Sequence, residues 1–334
     1  MDDINVAGLA WSAVGLFGVS APPGFSIDVI VPVFNAGGGI AKMLDGLLAS
    51  LGSEGADVGV IVCNDGSHDD TADRIAAFDD HRIRCINLPE NRGRAAARNA
   101  AALASAATYL LFIDADCRPQ ADNYFDVWRE QARHGIDVAY GPILADTQNT
   151  PFWCRYLEHI SARRDAAARA GRHLSAMTTG NALIRREVFA RLGGFDEQYR
   201  RYGFEDRDLI ARLLEQGLSP VYDVRASVLH SAGNTVTGYC RKMLEAARDS
   251  APLFFARHPQ AYREMSYARV DVDQYPAFAR AVLRPLAGVV ADATRRLAAL
   301  LVDRRWVPWP VQANVVRSAA ALSYLAGSAE RSRR

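Results

Sequence analysis

Leu110-Leu111-Phe112-Ile113-Asp114-Ala115-Asp116 is an apolar run that stops on two carboxylates. Bulky apolar side chains over this length read as a strand covered on both faces, with its acids delivered onto the turn that follows. A spacing of two lets one turn aim both carboxylates at a single cation. Hard oxygen ligands suit Mg2+ or Mn2+, which also take oxygens from a substrate phosphate. A metal in that position would neutralise charge building on a departing diphosphate. Solvated turn aspartates are the competing reading, and the strand ahead of them weighs against it.

Outward from that run, short apolar segments alternate with amphipathic ones. Strands are expected at Ile27 to Phe34, Val58 to Cys63, Ile83 to Leu88 and Tyr109 to Ile113, with a fifth apolar segment from Val138 to Leu144. Between them, Ile40, Met43, Leu44, Leu47, Leu48 and Leu51 recur at helical spacing, and further helices are expected near Asp70 to Phe78, Gly93 to Ala107 and Ala121 to His134. The second half adds a strand at Thr179 to Ile184, a helix at Glu205 to Glu215, and apolar segments around Val221 and Val228. Strand and helix alternating in this way predict an α/β fold, a mostly parallel sheet flanked by helices. Asn35, Asn64-Asp65 and Asp114 to Asp116 gather where strands end, and such sheets bind ligands at that edge.

The 334 residues, 49% hydrophobic and 23% charged, suffice for a large buried core. A net charge of +1 argues against a nucleic-acid partner. Five scattered cysteines lack zinc-site spacing and read as reduced thiols of the cytosol. The acidic start Met1-Asp2-Asp3 is unlike a secretory signal, and the charge-free stretch Ile4 to Ala21 is short for a membrane span. Residues 1–25 are therefore expected to be an apolar extension. The Gly37 to Gly39 cluster fits neither a dinucleotide fingerprint nor a phosphate loop and is taken as a turn.

A second acidic cluster, Gly203-Phe204-Glu205-Asp206-Arg207-Asp208, opens a helix. Asp206 precedes Leu209, Ile210 and Leu213 by three, four and seven positions, which predicts that it turns inward with them. A partly desolvated carboxylate there could take the proton of an acceptor hydroxyl; a helix cap is the plainer alternative. Asp65 could accept hydrogen bonds from a nucleobase or ribose, or simply make an Asx turn. Arg94 and Arg98, four apart, could approach a diphosphate or form a solvated face. His230 could supply a third metal ligand, although lone histidines are more often structural.

The ordered series resembles the family 2 glycosyltransferases with the GT-A fold over about residues 27 to 257. It runs through Ile30-Val31-Pro32-Val33-Phe34-Asn35, Asn64-Asp65-Gly66-Ser67-His68-Asp69-Asp70-Thr71, Asn91-Arg92-Gly93 and Ala97-Arg98-Asn99. It continues through Asp114-Ala115-Asp116, Thr179-Gly180-Asn181-Ala182, Gly193-Gly194-Phe195-Asp196-Glu197 and Glu205-Asp206-Arg207-Asp208-Leu209. The resemblance implies a GT-A catalytic domain over 26–257 that inverts the anomeric centre. It implies a nucleotide-sugar site, most often for a UDP-sugar, at Pro32, Phe34, Asn35 and Asp65, with Asp114 and Asp116 at the metal and diphosphate. Asp206 falls on the family's general base, and His230 on a metal-ligand histidine of some members. Gly180, Asn181 and Glu205 are expected near the acceptor. The Gln-x-x-Arg-Trp motif of processive synthases is missing, and Leu213-Leu214-Glu215-Gln216-Gly217 stands in its place. Single-sugar transfer follows, onto a glycan or lipid-linked acceptor of cell-surface glycan or glycolipid synthesis. The alternative is a non-catalytic sugar-nucleotide-binding or scaffold protein of the same fold.

Residues 282–334 hold nine Arg and no Lys against three acids, so this tail is +6 and the remainder −5. Leu286, Val289, Val290, Ala293, Leu297, Leu300 and Leu301 fall on one helical face, followed by Arg304-Arg305-Trp306 and a second apolar pattern from Val311 to Leu325. Residues 258–334 are thus expected to form a basic amphipathic helical extension. Its apolar face is expected either at a membrane surface, making the protein peripheral on the inner face, or against the catalytic domain or a second copy.

Overall fold

The computed structural model describes residues 25–51, 57–146, 150–231 and 233–331. Apart from residue 25, the N-terminal extension lies outside the described residues. The chain runs β1 (Ile27–Val33), α1 (Ile40–Leu51), β2 (Val58–Asn64), α2 (Thr71–Ala76), β3 (Ile83–Asn87), α3 (Arg94–Leu103) and β4 (Tyr109–Ile113). It continues as β5 (Cys117–Pro119), α4 (Tyr124–Arg133), β6 (Val138–Tyr140), β7 (Ile143–Ala145), α5 (Pro151–Arg169), α6 (His173–Ala176), β8 (Asn181–Arg185) and α7 (Arg186–Arg191). Then come α8 (Glu205–Glu215), β9 (Val221–Tyr222), β10 (Val228–His230), α9 (Val236–Glu245), α10 (Ala251–Arg257), α11 (Pro259–Glu264), α12 (Ala277–Leu301) and α13 (Trp309–Glu330). Two compact units result, and they interleave in sequence rather than meeting at residue 257.

The first unit takes in the chain up to Ala145, Ser161–Glu197 and Arg212–Ser231. Its main sheet has the order β3-β2-β1-β4-β8-β6-β9. Strands β3, β2, β1 and β4 are parallel, with Ile30 of β1 opposite Ile61 and Phe112, while β8 runs antiparallel between β4 and β6. Every residue of β4 is buried, as expected of a strand covered on both faces. On α1, Ile40, Met43, Leu44, Leu47 and Leu51 are buried at helical spacing. The small side chains of Ala95, Ala97 and Ala101 bury α3. The α/β fold with a mostly parallel sheet and flanking helices is therefore as expected.

One expected strand divides. The apolar run from Val138 to Leu144 becomes β6 of the main sheet and β7 of a second sheet, order β5-β10-β7. Gly141-Pro142 breaks it: a Cβ on Gly141 would sit 1.8 Å from the carbonyl oxygen of Ala226, so only a bare backbone passes there. Strand β5 was not anticipated.

The second unit comprises Asp146–Ile160, Gln198–Ala211 and Ala232–Arg334. It is helical. Phe152, Trp153 and Tyr156 of α5 pack with Val236 and Cys240 of α9 and with Ala298, Ala313, Val316 and Ala319 of the last two helices. Helix α9 passes through a π-helical turn, Ala246–Ser250, into α10. Gly327 lets α13 approach α9 closely, since a Cβ there would lie 2.2 Å from the carbonyl oxygen of Leu244. Among the described residues no helix is long and apolar enough to cross a membrane.

Candidate active site

In the first unit, the loops after β1 and β2 are tied together by their own polar groups. The amide of Asn35 donates to Ser67 Oγ (2.9 Å), and Asn35 Oδ1 accepts from the amide of His68 (2.9 Å). The amide of Ala36 donates to Thr71 Oγ1 (2.9 Å) and that of Gly37 to Asp69 Oδ2 (3.1 Å). Asn35 holds φ = 48°, a left-handed conformation that asparagine tolerates. Pro32 is half-buried, and Phe34 is exposed edge-on to His68 at 6.3 Å. An exposed aromatic on a braced loop is a platform for a flat ring.

Asp65 is buried, and both its oxygens accept backbone amides, Arg92 at 2.8 Å and Gly93 at 2.9 Å. Burial pushes its carboxyl above the usual range, while the two amides and Arg92 pull the other way. Its first effect is to clamp the Asn91-Arg92-Gly93 turn against the end of β2, a job that sequence reading does not distinguish from an Asx turn. Gly66 at φ = 66° completes the clamp, because a Cβ would fall 2.5 Å from the carbonyl carbon of Glu90.

Beyond β4, Asp114 Oδ1 accepts from Arg98 Nη2 at 2.7 Å. Arg98 is only 2% exposed and lies over the Phe195 ring at 5.2 Å. The expectation that Arg98 meets a diphosphate is corrected here: the inward face of α3 carries it into the core, where it aims Asp114. Arg94, one turn earlier, is exposed, and its charge acts on the Cys117 thiol beside the acidic turn. Burial holds that thiol well above its ordinary value, reinforced by Asp116 and Asp114. Gly180 borders Asp114; a Cβ there would lie 2.8 Å from Asp114 Oδ2.

The structure brings His230 and Asp116 together through the pairing of β10 with β5, His230 Nε2 lying 3.2 Å from Asp116 Oδ2. Asp114 and Asp116 are 30% and 43% exposed at their side chains, so both remain open to a ligand. A three-residue ligand set of Asp114, Asp116 and His230 is not assembled; among the described residues no three such groups converge. The reason is local, since Asp114 turns to Arg98 while His230 pairs with Asp116. Two solvent-accessible carboxylates beside a bare glycine backbone nonetheless fit Mg2+ or Mn2+, which bind through one or two carboxylates plus substrate phosphate oxygens.

Asn181 is not an acceptor contact. It is fully buried, accepts from Tyr124 Oη (2.7 Å) and donates to the carbonyl oxygens of Ala226 (2.7 Å) and Pro142 (3.2 Å). Its amide is thereby committed to joining β8 to the loops beside it.

The acidic cluster opening α8 belongs to the second unit. The inward positions are Glu205 and Asp208, both buried, whereas Asp206 is half-exposed in the first turn. Asp206 Oδ1 accepts from the amide of Arg207 at 2.8 Å. The expected inward turn of Asp206 is thus corrected: Glu205, Asp208 and Leu209 define the buried stripe, three and four apart. Asp208 accepts from Tyr199 Oη (3.4 Å) and faces His258 Nε2 (3.2 Å) and Arg257 Nη1 (3.5 Å). Just before the cluster, Phe204 holds φ = 68° after Gly203 at 92°. A bulky residue in this region is strained, and rings of Phe254, Tyr262 and Tyr267 at 5.3 to 6.0 Å hold it there. Sequence reading missed Phe204, because the aromatic partners that trap it lie some fifty residues or more downstream.

The model of "Glycosyl transferase family 2" matches residues 28–193. The chain belongs to that family. A second model, "N-terminal domain of galactosyltransferase", matches residues 163–231. The chain is 35% identical over 113 residues to a dolichyl-phosphate beta-glucosyltransferase of Trichomonas vaginalis, a match covering 32% of this chain and 34% of that one. The match thus spans about a third of that relative's length. It is 27% identical over 323 residues to the succinoglycan biosynthesis protein ExoU of Rhizobium meliloti, covering 81% and 88% of the two chains. A mannosyltransferase of Pyrobaculum calidifontis, solved with GDP-Man and Mn2+, superposes at a TM-score of 0.56 with 19% identity, covering 94% of this chain and 91% of that one. At that identity the likeness carries the fold alone.

Proposed function

We propose that this protein transfers one sugar from a nucleotide-diphosphate sugar, UDP-linked by preference, to a hydroxyl of a glycan or lipid-linked acceptor, with inversion. The observation that carries this reading is the pair of solvent-accessible carboxylates, half-buried Asp114 and exposed Asp116, held on one turn after β4 by Arg98 and by the His230 strand. Mn2+ or Mg2+, when bound, screens the diphosphate's negative charge. Asp114 and Asp116 would hold that ion, Arg94 would add a positive charge, and Phe34, Pro32, Asn35 and Asp65 would form the nucleoside side. The match of Asp206 to the family's general base assigns it the acceptor's hydroxyl proton, taken as the hydroxyl oxygen bonds to the anomeric carbon and the sugar–diphosphate bond breaks. Being half-exposed in a first turn suits a group that must meet an incoming acceptor. Work on the cytoplasmic face of a membrane, in cell-surface glycan or glycolipid synthesis, agrees with the five cysteines, all without a disulfide.

The test is thermal stabilisation by UDP, GDP and their sugars, with and without Mn2+, for wild type and Asp116→Ala. Saturation at about a hundred times Kd adds about 2.7 kcal/mol. A metal-dependent shift with one nucleotide, lost in Asp116→Ala, supports the site. No shift with any nucleotide overturns it. Donor turnover lost in Asp206→Asn with binding kept separates a transferase from a sugar-nucleotide-binding scaffold.

A further inference from the structure

Helix α12 is built inside out for a solvated helix. Its packed side carries small residues, Ala287, Ala291 and Ala298, which fit it closely to its neighbours within the second unit. Its large apolar residues face outward. Phe278 is 77% exposed, Val289 72% and Leu300 62%, with Val282, Leu286 and Leu297 exposed between them. At 100° per residue these six fall within about a third of the helix circumference, a stripe about 33 Å long. A contiguous apolar surface of this length on an otherwise polar exterior marks an interaction site.

The charges around the stripe say what covers it. Along the same helix Arg295 and Arg296 both pair with Asp292 and more than offset its charge. Just beyond the last turn, Arg304, Arg305 and Trp306 are all exposed, Trp306 at 77%. An apolar stripe ending in arginines and an exposed tryptophan matches the boundary between acyl chains and headgroups. The +6 tail opposes a stripe-to-stripe pair of identical chains, which would bring two such tails together, and attracts anionic lipid.

We propose that α12 is a membrane-docking helix that lies in the plane of an anionic lipid surface, its Phe278–Leu300 stripe in the acyl boundary and Arg304, Arg305 and Trp306 at the headgroups. This rests on and deepens the reading of the protein as a peripheral transferase, since it would bring the chain to the surface where lipid-linked acceptors reside.

The full-length protein should float with phosphatidylcholine vesicles containing phosphatidylglycerol, bind vesicles of phosphatidylcholine alone more weakly, and dissociate as salt rises. The double substitution Val289→Asp with Leu297→Asp should lower partitioning about tenfold or more with no fall in Tm, since both positions are exposed. Arg304→Gln with Arg305→Gln should remove the preference for phosphatidylglycerol. The proposal is overturned if wild type floats with neither vesicle, or if the stripe variant floats as wild type does. It is equally overturned if light scattering shows a dimer that the stripe variant splits, because a second copy then covers the face. Flotation is read without turnover, so a protein that floats and transfers no sugar supports the docking helix and removes only the transferase reading.

Discussion

Arg98 shows how one side chain can decide the geometry of a site it does not open onto. With its guanidinium buried and 2.7 Å from Asp114, it fixes the direction of the carboxylate proposed to meet the metal. Arg98→Ala should cost about 2–3 kcal/mol in urea unfolding, less than a fully buried pair because Asp114 keeps access to water, and should weaken Mn2+-dependent nucleotide binding as well. Asp69 supplies a prediction in pH. The hydrogen bond from Thr71, followed by amide bonds that include Gly37, lowers its carboxyl below the ordinary 3.8. A carboxylate with a depressed pKa stabilises the fold above its unfolded value and loses that contribution as pH falls through the folded value. Thr71→Val should therefore raise the Asp69 pKa toward 3.8, measured by carbon-detected NMR titration, and the loop brace should loosen at a less acid pH than in wild type.

Among the elements, the entry to α8 is the place where backbone strain and chemistry meet. Phe204 stays at positive φ because its ring is captured by Phe254, Tyr262 and Tyr267. Phe204→Ala should destabilise the fold by about 3–5 kcal/mol and release the first turn that presents Asp206. Turnover should then fall in kcat while nucleotide-induced stabilisation, which reads the first unit, is kept. The β8 entry offers the complementary case. Gly180→Ala puts a methyl 2.8 Å from Asp114 Oδ2, and the carboxylate must shift to admit it. Its expected signature is a weaker Mn2+ dependence with Tm nearly unchanged. Such a result would be inconsistent with a purely structural glycine.

For the molecule as a whole, helix packing and the charge division matter most. In the second unit α13 meets α9 through Gly327, whose missing side chain sets the helix spacing. Gly327→Val should cost at least about 1–3 kcal/mol through overpacking, seen as a lower denaturation midpoint in a chain whose outer α12 face is untouched. The family match, the two sheets and the acidic turn all fall within the −5 portion of the chain, whereas the apolar stripe beyond Phe278 and most exposed arginines around it fall in the +6 tail. On the proposed reading, a net acidic body that takes a negatively charged donor would rely on a few local cations, Arg94 and a bound metal, rather than on the overall field.

The alternation from β1 to β4 was legible in the chain because hydrophobic period is a local property: β4 and α8 have the bounds that their patterns give, and the acids at the strand ends lie where a parallel sheet puts them, whereas β5 and the long helix α5 carry no such signal. Family membership was legible for a related reason, since a series of short motifs in fixed order survives at identities too low to carry contacts. What tertiary structure alone decided was the direction and company of side chains. Arg98, Asn181 and Asp206 each take a facing that only packing sets, and the split of Val138 to Leu144 depends on Ala226, 85 residues after Gly141. The α12 stripe was visible as a pattern, but a pattern does not say whether the apolar face turns inward; alanines on the opposite face, packed within the helical unit, turned it out.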